Sequence, residues 1–160
     1  MPRIDPTLPL TPSLLDRLID ARTGGARGQS GYTIEQMTAA VRRDLEDLLN
    51  TRQSHADVPP EYAEVLSSIV AYGLPDLTTL PALTPNERAE MATILETLLT
   101  RFEPRLRDVR ATLLEDKDER QRTLRFRIEA TLAVDPAPPV AFDTLLELST
   151  GHYSVKRSEE

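Results

Sequence analysis

Residues 102–106 read Phe-Glu-Pro-Arg-Leu: an acid and a base on either side of a helix breaker, fenced by apolar residues. Three kinds of chemistry suit that pattern. Glu103 and Arg105 can pair and fix a corner of the chain. Glu103 can serve as a carboxylic acid in a reaction. The two charges can also present themselves together to another protein. Pro104 ends a helix without help, because it restricts the residue before it and lacks an N–H. A glutamate at a helix C-terminus opposes the helix dipole, and an arginine two residues on relieves that. The same guanidinium favours an ionised carboxylate, which suits a pair and not a general acid. Most ion pairs are structural or energetically idle. On the residues alone, a local pair that fixes the corner is the simplest reading.

Other reactive groups are sparse. His55 falls in a loop and His152 in a turn, and neither has metal-ligand spacing to another candidate. Nucleophile-elbow, phosphate-loop and dinucleotide fingerprints do not occur. The glycines at 24–31 lack the lysine and the strand that a phosphate loop needs. Carboxylates are plentiful, as a two-acid glycoside hydrolase requires. Most of them alternate with bases on helix faces, as solvated charge does. Aromatic content is 4% with no Trp, which leaves little to stack a sugar on. No catalytic, cofactor-binding or metal-ligating residue is assigned.

Composition narrows the class further. The net charge of -7 disfavours nucleic acid and, more weakly, anionic membranes. The absence of Cys excludes disulfides and thiolate chemistry. There is no run of about 18 apolar residues and no secretory core at the N-terminus. A cytoplasmic address is the expectation.

The elements that would position the corner follow from periodicity. Residues 1–12 carry four prolines and read as a flexible arm. Thr11-Pro12 opens a short helix, with Leu14, Leu15, Leu18 and Ile19 on one face. A flexible loop follows. Thr33 and Gln36 form a capping box for a second helix. Its stripe is Ile34, Met37, Val41, Leu45, Leu48 and Leu49, and Arg42, Arg43, Asp44, Glu46 and Asp47 take the opposite face. A third helix over 60–73 has Tyr62, Val65, Leu66, Ile69 and Val70 on one side, with Gly73 as its cap. Thr84, Pro85 and Glu87 start a fourth, striped by Met91, Ile94, Leu95, Leu98, Leu99 and Phe102. Beyond Pro104 the period changes to two. Strands are predicted in 107–115, 123–132, 140–148 and 152–155. The fold class is α+β, with N-terminal helices packed on a C-terminal antiparallel sheet of three to four strands. A single domain would span 13–156, and 157–160 would fray.

Six segments, at 13–18, 41–52, 72–78, 101–106, 124–132 and 139–148, share one order and spacing with a known family. They resemble TssE, the small baseplate subunit of type VI secretion systems. They are similar also to the related wedge proteins of contractile phage baseplates, once grouped with tail lysozymes. The resemblance implies that Glu103, Pro104 and Arg105 seat the protein on the helical bundle of the wedge. It implies too that the C-terminal strands imitate the strand-exchange region of the sheath proteins, so that the first sheath ring adds its strands to this sheet. An exposed edge strand is suited to that.

The expected protein-interface residues are Glu103, Pro104, Arg105, Phe126, Phe142 and Tyr153. The expected partners are the wedge proteins TssF and TssG, TssK indirectly, and the sheath proteins TssB and TssC. Nucleic acid and direct membrane insertion are not expected, and the isolated chain would be monomeric. The protein would be a non-enzymatic adaptor at a baseplate docked to the inner membrane. Two alternatives stand beside it. One is a lysozyme-like peptidoglycan hydrolase, which needs a second carboxylate about 5–9.5 Å from Glu103. The other is a wedge protein of a prophage-derived tail.

Overall fold

The computed structural model describes residues 10, 12–22, 32–54, 58–75, 84–114, 123–147 and 149–158. The glycine-rich loop at 23–31, His55, Leu148 and the polar turn at 116–119 lie outside them. Helices come first: α1 (Leu14–Arg22), α2 (Ile34–Asn50), α3 (Ala63–Leu66) and α4 (Pro85–Phe102). Four strands follow: β1 (Leu106–Leu114), β2 (Thr123–Leu132), β3 (Pro139–Glu147) and β4 (His152–Arg157). The sheet order is β1-β2-β3-β4, and each pair is antiparallel. The expected α+β architecture is the one observed.

The two long helices start where their caps dictate. Thr33 donates its N–H to Gln36 Oε1 at 2.9 Å and accepts from the Gln36 N–H at 3.2 Å. Thr84 and Glu87 repeat the box at 2.9 and 3.3 Å, with Pro85 in the first turn. Both boxes satisfy donors that a helix start leaves orphaned. Val41, Leu45, Leu48 and Leu49 of α2 and Met91, Leu95, Leu98 and Leu99 of α4 are buried in one core. The inner face of the sheet completes it with Phe126, Ile128, Ala130 and Leu132 of β2, Phe142 and Leu146 of β3, and Tyr153 and Val155 of β4. Arg125 and Glu129 alternate outward on β2, as period two requires.

The predicted third helix breaks in two. It forms only Ala63–Leu66 and a 3-10 turn at Ile69–Ala71. Ser67 Oγ donates to the carbonyls of Ala63 and Glu64, both at 3.1 Å. Ser68 Oγ donates to Val65 O at 2.7 Å and accepts the Val70 N–H at 3.2 Å. The Ser68 N–H turns to Val65 O at 3.1 Å, and its hydroxyl caps the 3-10 turn that follows, so the α-helix ends there. The expected apolar stripe therefore misses the core. Ile69 is 87% exposed, and Tyr62 and Val70 are exposed too. What reaches the interior is Ala71 and Leu74. Between them Gly73 takes φ +103, so that Leu74 can donate its N–H to Thr51 O at 2.8 Å.

Two ends also differ in detail. Leu10, inside the expected flexible arm, accepts the Tyr32 N–H at 2.7 Å. β4 runs to Arg157, and Ser158 donates its N–H to Ala141 O at 2.9 Å, so pairing enters the segment expected to fray.

Candidate functional site

The chain turns from α4 into β1 at Glu103-Pro104-Arg105. Glu103 still donates its N–H to Leu99 O at 2.9 Å, and its carbonyl accepts from Leu106 at 3.0 Å. Backbone bonds on both sides thus pin the corner. The Arg105 carbonyl accepts from Ala133 at 2.8 Å, which ties the corner to the end of β2. Phe102, just before it, meets Tyr72 edge to face at a centroid distance of 5.4 Å.

The charged side chains turn inward, towards each other. Arg105 Nε donates to Glu103 Oε1 at 2.7 Å, and its Nη2 donates to Glu103 Oε2. The Arg105 amide reaches the same carboxylate at 3.1 Å. Nη2 also donates to Asp44 Oδ2 at 2.6 Å, crossing from the corner to α2. Asp44 in turn accepts from Arg43 Nε at 2.9 Å and Nη2 at 2.6 Å. Arg43 Nη1 donates to Asp16 Oδ1 at 2.6 Å, which brings in α1. Ser13 closes the series by donating to Asp16 Oδ2 at 2.8 Å. Five charged side chains, from α1, α2 and the corner, therefore form one charge-alternating chain, which Ser13 closes.

The chain is largely removed from water. Glu103 and Asp16 are 4% and 5% exposed, and the Arg105 side chain is 24% exposed. Burial alone would lower the Arg105 pKa, but its bonds to Glu103 and Asp44 raise it above the ordinary arginine value. Burial disfavours ionised Asp16, yet the bonds from Arg43 and Ser13 hold its carboxyl below the usual value. Each anion is thus compensated by a cation in bonding contact, as buried charge requires.

The sequence pointed to Glu103 and Arg105 but assigned Arg43 and Asp44 to a solvated helix face. Both are half-buried partners of the corner. Their position beside Val41 and Leu45 of the buried stripe was the available signal. Pro104 is exposed and forms the tip. Phe126, Phe142 and Tyr153, expected at a protein interface, are buried in the core at 0%, 0% and 4% exposure. They shape the sheet from beneath and present no contact surface to a partner. His152 is exposed at the start of β4.

Among the described residues, no group of three or more His, Asp and Glu is placed to hold a metal ion. No described helix is long and apolar enough to cross a membrane. The family model for baseplate wedge protein gp25 matches residues 35–137, more than half of the chain. That match runs from α2 to just beyond β2 and includes the whole corner. Comparison with curated proteins and with solved structures found no match.

Proposed function

The chain belongs to the baseplate wedge protein gp25 family, and from that membership we propose that it is a non-enzymatic adaptor between baseplate wedge and sheath in a contractile injection machine. Its family places it among the structural components of a contractile baseplate. In the fuller reading, the corner at Glu103, Pro104 and Arg105 seats it on the wedge, and its sheet offers the surface from which sheath polymerisation starts. The wedge partners are then TssF and TssG, with TssK reached through them, and the sheath partners are TssB and TssC. The site of assembly is the cytoplasmic face of the inner membrane, at a docked type VI baseplate.

The observation that carries this reading is the family match across the corner and the first two strands. The geometry supports it. A corner held by Arg105, Glu103 and Asp44 is already ordered, so docking costs little conformational entropy. Its exposed tip, Pro104, is available to a partner. A hydrolase fits the same residues less well, because both Glu103 oxygens are taken by Arg105.

The test is genetic and visual. In cells that carry a fluorescent sheath subunit, deletion of this gene removes sheath tubes, and the wild-type chain restores them. Normal tubes in the deletion strain contradict the proposal. Clearing of a cell-wall suspension by the purified chain would favour the hydrolase instead.

A further inference from the structure

α1 turns to solvent the side that a surface helix ordinarily buries. Leu14, Leu15 and Leu18 are 70%, 53% and 59% exposed. Leu18 lies four residues from Leu14 and three from Leu15, so the three share one face. Asp16 is the buried one among the described side chains of this helix. An amphipathic helix of a globular protein points its apolar stripe at the core and its charges at water. α1 does the reverse, although a helix of 9 residues is marginal without packing.

Polar bonds hold it in place instead. Ser13 Oγ accepts the Asp16 N–H at 3.1 Å, which caps the first turn, and donates to Asp16 Oδ2 at 2.8 Å. Asp16 Oδ1 accepts from Arg43 Nη1 at 2.6 Å. Cap and anchor thus share Asp16, so the start of α1 and the leucines beside it are fixed on α2. From Arg43 the bonds continue through Asp44 to Arg105. The leucine stripe is therefore ordered together with the corner.

Size and charge choose the occupant. Three leucine side chains fall well below the about 800 Å² per partner that a stable dimer buries. A net charge of -7 also works against pairing of like copies. A surface so small holds a partner only beside a second contact. The corner is that contact, because the bonds through Arg43 and Asp44 join it to α1. α1 also precedes residues 35–137, so this surface adds to what the family match covers.

We infer that α1 is a second docking element beside the corner, and that its leucine face lies in an apolar groove of the same protein that contacts Pro104. Helices laid in grooves use anchors at this spacing. A helix already fixed by Arg43 loses little freedom on docking. The inference rests on the adaptor reading above and adds a contact to its wedge-facing side.

The test measures the dissociation constant of the full chain for the purified TssF–TssG complex, with fold checked by circular dichroism and mass by sedimentation. Leu14→Ala with Leu18→Ala removes apolar surface and leaves the bonds of Ser13 and Asp16 in place. Ile69→Ala removes an 87% exposed side chain from the 3-10 turn after α3. The leucine pair should weaken binding at least about tenfold, the scale of one buried leucine, and Ile69→Ala should bind as wild type. Wild-type affinity in the leucine variant overturns the inference. So does an equal loss from Ile69→Ala, which would mean that any exposed apolar residue counts alike. A wild-type dimer that the leucine substitutions convert to monomer, with TssF–TssG binding unchanged, would assign the stripe to a second copy and overturn the inference too. Should the alanine pair fail to fold, Leu15→Gln with Leu18→Gln, which keeps good helix formers, decides. Absence of wild-type binding removes the adaptor reading itself, and the inference with it.

Discussion

Arg105 bonds Glu103 through Nε and Nη2, and Nη2 also reaches Asp44. A lysine could not reproduce that planar fork. The pair within the corner was legible from sequence, because two residues apart around a proline is within reach. Asp44 was not, because 61 residues separate it from Arg105 and only the packing of α2 against the corner joins them. Tyr153 offers a test at the same scale. Its hydroxyl is buried and has no partner among the described residues, and burial pushes its pKa up to about 12. A tyrosine whose folded pKa is raised favours the neutral form in the native state. Its contribution is complete below the unfolded value near 10 and is lost as pH rises from there to about 12. Tyr153→Phe should match or exceed wild-type stability at pH 7, since no bond is lost. It should also lose less stability than wild type in urea melts between those two pH values. Equal losses in the two proteins would show that Tyr153 does not drive the alkaline loss.

The elements differed in how well periodicity revealed them. β2 alternates cleanly, with Phe126, Ile128 and Ala130 inward, so strand and face were both readable. α2 and α4 carried caps and stripes that agree with each other. The segment after residue 60 also carried a helical stripe, but the Ser68 N–H turned to Val65 O and its hydroxyl capped the next turn, which ended the helix. Spacing counts apolar residues and is blind to that cap. Gly73 was read as a helix cap, and its work lies elsewhere. A Cβ there would stand 2.5 Å from Thr51 O, in a backbone conformation at φ +103. Gly73→Ala should cost about 2–3 kcal/mol through strain and displacement of the Thr51 strap. A urea melt measures this, and a loss under about 0.5 kcal/mol, as at an ordinary surface site, would mean that the strap yields freely.

At the scale of the whole molecule, α2 and α4 cover the inner face of the sheet and send side chains to its two edges. The corner joins helices to sheet through a single packed core, so under the proposed adaptor reading the wedge-facing and sheath-facing sides would be mechanically connected. The chain belongs to the baseplate wedge family, whose members are structural components of a contractile baseplate. The most direct measurement is the dissociation constant for the purified TssF–TssG wedge complex, taken with wild type and with Arg105→Ala well below the variant's melting point. Removing one partner of so buried a pair should cost about 3 kcal/mol of stability. The variant's fold should be checked by circular dichroism. The account predicts that wild type binds and that the folded variant binds at least about tenfold more weakly, the equivalent of about 1.4 kcal/mol. Equal affinity would mean that Glu103, Pro104 and Arg105 only fasten the fold, and would contradict the docking role.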